Sequence, residues 1–160
     1  MTTINIKIIM ESGKEMEAEL YPEIAPATVE NFVKLINEKF FDGIIFHRVI
    51  PGFMIQGGDP TGTGMGGSKE TIRGEFLANG FVNNLKHERG VLSMARTMDP
   101  NSASSQFFIM HETSPHLDGQ YAAFGKLTKG IEVVDEIASV KTDFRDKPLE
   151  PQTIKTIELI

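Results

Sequence analysis

The chain has 160 residues, a hydrophobic fraction of 40% and a formal net charge of −6. This length is typical of one domain that buries a core, and we expect residues 1–160 to form a single domain. The acidic balance argues against nucleic acid as a partner, and no apolar stretch approaches the roughly 20 residues that span a bilayer. The chain contains no cysteine, which excludes disulfides, thiolate chemistry and zinc–sulfur sites. We therefore expect a soluble, cytoplasmic protein that binds neither nucleic acid nor membrane.

The first half of the chain predicts a hairpin, a helix and a pair of strands. The hairpin turns at Ser12-Gly13, and its alternating pattern is unlike the apolar run of a signal peptide. Pro26 or Thr28 begins the helix, whose apolar side chains recur at helical spacing until Phe41-Asp42-Gly43 ends it. The strands are expected at residues 3–10, 15–20, 44–50 and 53–57, the last two joined by a bend at Pro51-Gly52.

The second half predicts a glycine-rich loop, four more strands and one short helix. The loop covers residues 61–68, the strands cover residues 90–95, 106–110, 122–127 and 153–160, and the helix covers residues 131–139. Asp118-Gly119 has the composition of a hairpin turn. Many short strands combined with two amphipathic helices indicate a mainly antiparallel barrel that the helices cap.

Residues 46–59 place one guanidinium and one carboxamide among large apolar side chains, with no obvious nucleophile or base. Strand parity puts Arg48 on the face of Phe46, although burying an unpaired guanidinium is costly. Parity also puts Met54 and Gln56 on one face. Two interpretations of Arg48 stay open at this point, a functional site or an exposed arginine whose stem covers an apolar edge. A methionine such as Met54 next to Phe53 is more often plain core.

Two later regions are candidates for the same site. Gln106 and Phe108 share one face of a predicted strand, and Leu117 precedes a tight turn where it can wall a pocket. A polar residue before an apolar strand is usually just its solvated end, and the alternative for Leu117 is ordinary hairpin packing. None of the four histidines has a recognised metal spacing, so we expect no metal site.

The glycine-rich loop contains G-x-G-x-x-G over residues 62–67, but no long helix pattern follows and no βαβ unit surrounds it. A dinucleotide site needs the N-terminus of such a helix for the pyrophosphate. Ser68-Lys69 also reverses the Lys-Ser order of a phosphate-binding loop. We therefore expect a flexible loop beside a groove and no nucleotide cofactor.

Taken together, these segments closely resemble the cyclophilin-type peptidyl-prolyl cis-trans isomerases, in particular the compact bacterial kind. The resemblance runs in order over nearly the whole chain and is specific, because several long motifs match together. They are PATVENF at residues 26–32, FHRVIPGFMIQGGD at 46–59, GVLSMA at 90–95, SQFFI at 105–109 and LDGQYAAFGKL at 117–127.

The resemblance implies a closed eight-stranded antiparallel β-barrel capped by two α-helices, with the substrate groove on its outer surface. It implies an isomerase that rotates X–Pro bonds and assists protein folding as a monomer, without cofactor or metal. Its partners would be proline-containing peptides and folding proteins. The catalytic residues would be Arg48 and Gln56. The substrate-binding residues would be Phe53, Met54, Ala95, Arg96, Thr97, Gln106, Phe108, His116, Leu117 and Tyr121.

The chain departs from the best-known members of the family at the rim of the groove. His116 stands where they carry tryptophan, Tyr121 where they carry histidine and Arg96 where they carry asparagine. These changes predict reduced affinity for cyclosporin but leave Arg48 and Gln56 in place. Three other functions stay open on sequence grounds: a proline-peptide module without catalysis, a folding chaperone or scaffold, and, much less favoured, a Ser/His/Asp hydrolase, because no nucleophile-elbow motif frames a serine.

Overall fold

The computed structural model describes residues 2–160, in which eight strands and two α-helices follow one another. The elements are β1 (Ile4–Met10), β2 (Glu15–Leu20), α1 (Pro26–Asn37), β3 (Phe46–Ile50), β4 (Met54–Gly57), β5 (Val91–Met94), β6 (Phe107–Met110), β7 (Ala123–Lys129), α2 (Ile131–Ala138) and β8 (Ile154–Leu159). Every strand and helix expected from the sequence pattern is present, with slightly different ends. No helix in residues 2–160 is long and apolar enough to cross a membrane.

The eight strands form one sheet in the order β3-β4-β6-β5-β7-β2-β1-β8, and every neighbouring pair is antiparallel. The predicted mainly-β class with two helices is confirmed, but the closed barrel was overstated. The sheet is an open half-barrel, since β3 and β8 are joined only by the isolated bridge between Ile45 and Thr153 and its flanking backbone bonds. Because β5 lies between β6 and β7, Asp118-Gly119 belongs to a longer connection and is not a hairpin turn.

Helix α1 begins at Pro26, whose fixed φ suits the first helical position. A buried carboxylate from outside the helix caps it, because Glu75 accepts hydrogen bonds from the N–H groups of Ala27 (3.2 Å) and Thr28 (2.7 Å). The helix buries one face, including Phe32, against the concave side of the sheet. Burial of each such large apolar side chain contributes roughly 1.5–3 kcal/mol.

Alternation along the strands produces two apolar clusters, one on each face of the sheet. On β6, Phe107 and Ile109 point into the main core with α1 and α2, whereas Phe108 and Met110 point the other way. The second cluster contains Met54, Val91, Phe108, Met110, Leu117 and Ala123. This smaller outer cluster forms the floor on which the candidate site is built.

Candidate active site

A β-bulge at His47 decides which side of the sheet carries Arg48. On β3, Phe46 pairs with Gly57 and Arg48 pairs with Gln56, so three residues of β3 face two residues of β4. Phe46 is therefore fully buried in the main core while Arg48 is exposed on the outer face. The strand parity that placed these two residues on one face is wrong here, because the extra residue reverses the alternation.

Arg48 lies at one end of a chain of side-chain hydrogen bonds. Its Nη1 donates to Oε1 of Gln56 at 3.3 Å, and Nε2 of Gln56 donates to Oε1 of Gln106 at 2.9 Å. A distance of 3.3 Å is long for a hydrogen bond, and a guanidinium carries five N–H donors. Gln56 thus accepts one of the donors of Arg48, which is exposed and lines the groove.

Gln106 is in turn held by the glycine-rich loop. Its Nε2 donates to the carbonyl oxygens of Gly64 (3.0 Å) and Gly66 (2.8 Å). The loop itself is organised by Asp59, which is 1% exposed and accepts the N–H groups of Thr61 (2.8 Å), Gly64 (2.7 Å) and Gly66 (3.1 Å). Burial raises the pKa of Asp59, but the hydrogen bonds from Gly66, Thr61 and Gly64 outweigh it and lower the pKa to about 2.

These contacts also exclude the phosphate-binding interpretation of the loop. The backbone N–H groups that would cradle a phosphate already bind the Asp59 carboxylate. A Cβ at Gly66 would collide with that carboxylate, which explains the glycine. The role of Asp59 was not predicted, although aspartate before a Pro-Thr-Gly run is a familiar signal for side-chain-to-backbone bonding.

Beside Arg48 and Gln56 lies a cavity of about 130 Å³ with an apolar floor. Met54, Phe108 and Leu117 form the floor and are 1%, 5% and 6% exposed. Phe53 forms one wall, and Tyr121 forms another, edge-on to Phe108 with ring centroids 5.8 Å apart. A cavity of this size and lining suits a small apolar ring with one polar edge.

The structure brings most of the predicted site residues together. The cavity is lined by Arg48, Phe53, Met54, Gln56, Ala95, Arg96, Phe108, Leu117 and Tyr121. Thr97 and Gln106 line an adjoining cavity of about 330 Å³, which shares Gln56, Ala95 and Arg96 with the first. His116 lines neither cavity and lies exposed at the rim, its ring 5.9 Å from that of Phe53.

Arg96 forms the partition between the two cavities. Its guanidinium is 4.7 Å from the ring centre of Phe76 and 4.6 Å from that of Tyr121. It donates to the carbonyl oxygens of Gln120 and Thr97, so its charge is committed to local structure. The side chain of Arg96 therefore shapes the groove, and Tyr121 is fixed by contacts on both sides.

A buried Ser–His–Asp arrangement lies behind the apolar floor. His87 Nδ1 donates to Asp118 Oδ1 at 3.0 Å, since a carboxylate can only accept, and Nε2 then accepts from Ser93 Oγ at 2.8 Å. Burial lowers the pKa of His87, and the Asp118 hydrogen bond opposes this only in part. Ser93 is fully buried and His87 is 1% exposed, so no substrate can reach the serine.

This arrangement supports the groove instead, because the His87 ring stacks on Phe108 at 6.1 Å. The sequence contains no local signal for this arrangement, since the three residues come from separate segments. Among residues 2–160, no group of three or more His, Asp or Glu side chains could hold a metal ion.

Comparison with known proteins gives a consistent assignment. A family model described as "Cyclophilin type peptidyl-prolyl cis-trans isomerase/CLD" matches residues 5–159. Peptidyl-prolyl cis-trans isomerase B of Bacillus subtilis is 50% identical over 131 residues, covering 82% of this chain and 88% of that protein. A peptidyl-prolyl cis-trans isomerase of Schizosaccharomyces pombe is 45% identical over 157 residues, covering 97% of this chain and 99% of that one.

The fold agrees with these sequence relatives. A crystal structure of a cyclophilin-type isomerase of Cryptosporidium parvum superimposes with a TM-score of 0.91 at 36% identity, over 99% of this chain and 98% of that one. A second structure of that protein, in the presence of the dipeptide Ala-Pro, has a TM-score of 0.89 at 37% identity, over 98% of each chain.

The chain belongs to the cyclophilin-type peptidyl-prolyl cis-trans isomerases, enzymes that act on proline-containing peptides and proteins. The predicted family and isomerase activity are therefore confirmed, and the non-catalytic and hydrolase alternatives are not supported.

Proposed function

We propose that Arg48 is the catalytic group of this isomerase. Rotation about an X–Pro bond is opposed by amide resonance, with a barrier of about 18–20 kcal/mol, and breaks no covalent bond. In the twisted state the prolyl nitrogen becomes pyramidal and its lone pair can accept a hydrogen bond. Arg48 presents charged, rigid donors at the edge of the cavity with the apolar floor, and neither planar isomer can accept them equally well.

The observation that carries this proposal is the position of Arg48, which is held by Gln56 directly beside a cavity of about 130 Å³ that has an apolar floor. In the proposal, Met54, Phe108 and Leu117 hold the proline ring from below and Phe53 holds it from the side. The ring is then fixed while the preceding carbonyl swings. A rate gain of about 10⁵ requires only about 7 kcal/mol, which one preorganised donor and a desolvated pocket can supply together.

Gln56 and Gln106 are proposed to hold the peptide backbone, since Gln56 lines both cavities and Gln106 lines the larger one. Residues before the proline would lie along Ala95, Arg96 and Thr97. The N–H of Ala95 already donates to the carbonyl of Gln106 at 3.0 Å. We therefore expect the peptide to pair with the carbonyl of Ala95 or with the backbone of Arg96.

Replacement of Arg48 by alanine tests the proposal. We expect kcat/KM for an Ala-Pro peptide to fall at least about tenfold, or about 1.4 kcal/mol, with the fold retained. Arg48→Lys should recover only part of the loss, because an ammonium lacks the planar fork of donors. Arg73→Ala removes another exposed arginine and serves as the control. A protease-coupled assay that finds Arg48→Ala as fast as wild type would remove Arg48 from the mechanism.

Reduced affinity for cyclosporin is proposed on the same geometry, because His116 offers less apolar area at the rim than tryptophan would. We expect His116→Trp to tighten cyclosporin binding severalfold in titration calorimetry. An unchanged Kd would show that the rim residue is not the cause. The monomeric state, the cytoplasmic location and the action of residues 1–160 as one isomerase domain stay predictions.

A further inference from the structure

A further cavity adjoins Arg48, and neither Ala95 nor Arg96 is part of its lining. It has a volume of about 400 Å³, and its walls include His47, Arg48, Arg145, Lys147 and part of the glycine-rich loop. It shares Arg48 and Gln56 with the proline cavity, so the two are neighbours along the groove. No role in the isomerase mechanism described above requires the side chains of Arg145 or Lys147.

The charge of this cavity is opposite to that of the whole chain. Arg48, Arg145 and Lys147 form no salt bridge anywhere in residues 2–160, and Asp143 is the one carboxylate in the described lining. Three cations and one carboxylate leave a formal charge of +2 on a chain whose net charge is −6. Unpaired cations grouped around a concave surface attract anionic groups.

Hydrogen bonds hold the backbone of the segment that carries Arg145 and Lys147. Asp143 N–H donates to the carbonyl of Lys147 at 2.8 Å, and Val49 N–H on β3 donates to the carbonyl of Asp146 at 2.7 Å. The carboxylate of Asp143 accepts the N–H groups of Arg145 (2.8 Å) and Lys147 (3.1 Å). Residues 143–147 thus form a closed turn that is bonded to the strand carrying Arg48, so this wall of the cavity has a fixed backbone.

We propose that this cavity binds the carboxylate side chain of a substrate residue two or three positions after the proline. This inference rests on the proposed function, which lays the residues before the proline along Ala95 and Thr97. In this proposal the residues after the proline pass Arg48 and Gln56, which line both cavities, and enter the positive cavity. An extended peptide advances about 3.3 Å per residue, so the second and third residues lie about 7–10 Å beyond the pocket.

The test compares three peptides that differ only at the second residue after the proline, Ala-Ala-Pro-Ala-X-Ala with X as Glu, Gln or Lys, and a matching set with X one position later. Exchange spectroscopy at low ionic strength measures kcat/KM for each peptide. In at least one set we expect the order Glu, Gln, Lys, with about a fivefold ratio between Glu and Lys that shrinks as salt is added.

Charge reversal supplies the matched controls. The double variant Arg145→Glu, Lys147→Glu should invert the Glu-to-Lys ratio, whereas Lys155→Glu, an exposed residue of β8 outside this cavity, should leave the ratio as in wild type. Equal rates for the three wild-type peptides in both sets, or a ratio that the double variant does not change, would overturn the inference.

Different results would contradict the carboxylate subsite and the proposed catalytic role of Arg48. If Arg48→Ala loses turnover of the Gln peptide while wild type shows no charge preference, only the carboxylate subsite is wrong. If Arg48→Ala turns over the Gln peptide as fast as wild type, the proposed mechanism itself is wrong. The wild-type peptide series and its salt dependence decide the inference even where the double variant does not fold.

Discussion

Phe108 belongs to the apolar cluster and to the candidate pocket at once. It is 5% exposed, it packs between the rings of His87 and Tyr121, and its remaining surface forms the floor of the proline cavity. Its neighbour Phe107 is equally aromatic but points into the main core on the other face of β6. Substitutions at these two residues therefore distinguish the loss of stability caused by lost core packing from the loss of activity caused by a lost pocket.

We expect Phe108→Ala to lower kcat/KM at least about tenfold and also to destabilise the fold, since large-to-small core changes cost roughly 3–5 kcal/mol. Phe107→Ala should destabilise the fold to a similar or greater degree but leave turnover per folded molecule near the wild-type value. Denaturant unfolding and an exchange assay on the same samples give both quantities. Equal turnover by the two variants, corrected for folded fraction, would assign Phe108 to the core alone.

Arg48 shows where prediction at the residue scale reaches its limit. The sequence motif identified it as a site residue, but strand parity placed it beside Phe46 on the buried face. The bulge at His47 corrects this, and a bulge depends on the pairing partner Gly57 as much as on β3 itself. At Arg48 the sequence therefore predicted a residue that lines the cavity, but not the face of the sheet on which it lies.

At the scale of elements, the glycine-rich loop is the part of the site that the sequence described least well. A flexible loop was expected, whereas Asp59 binds four of its N–H groups and fixes the carbonyls that hold Gln106. The sequence motif shows the glycines. It does not show that the buried carboxylate of Asp59 takes the position that a bound anion would have among the loop N–H groups. The Ser93–His87–Asp118 arrangement was missed for a similar reason, because its members meet only in the folded chain.

The low pKa of Asp59 makes the loop sensitive to acid. The folded-state pKa of about 2 lies below the ordinary value of 3.8, so the stabilisation is present above about pH 4 and is lost as pH falls towards 2. The shift corresponds to roughly 2 kcal/mol. We expect Asp59→Asn to unfold at lower denaturant concentration at pH 7 and to lose less stability than wild type between pH 4 and pH 2.

Asp42→Asn provides the control for this experiment, since Asp42 is exposed and lies away from the loop. Urea unfolding at a series of pH values measures the free energy of unfolding of each protein. Parallel pH dependences for wild type and Asp59→Asn would show that Asp59 carries no acid-sensitive stabilisation.

At the scale of the whole molecule, the two faces of one sheet have different tasks. The concave face packs against α1 and α2 in the main core, while the outer face carries the groove across β3, β4 and β6. The order and type of the elements follow from apolar periodicity, and resemblance to the family supplied the groove and its residues. The open edge between β3 and β8 could not be predicted. Whether the sheet closes into a barrel depends on pairing between segments that are distant in the sequence, and no local pattern encodes that pairing.

The central claim is that Arg48 stabilises the twisted amide more than either planar isomer. Two-dimensional exchange spectroscopy with saturating Ala-Pro peptide measures the isomerisation rate of the bound peptide, and titration of the same samples measures Kd. For Arg48→Ala we predict a bound-state rate at least about tenfold below wild type, with Kd within about threefold. A bound-state rate equal to that of wild type, with any loss confined to Kd, would contradict the account.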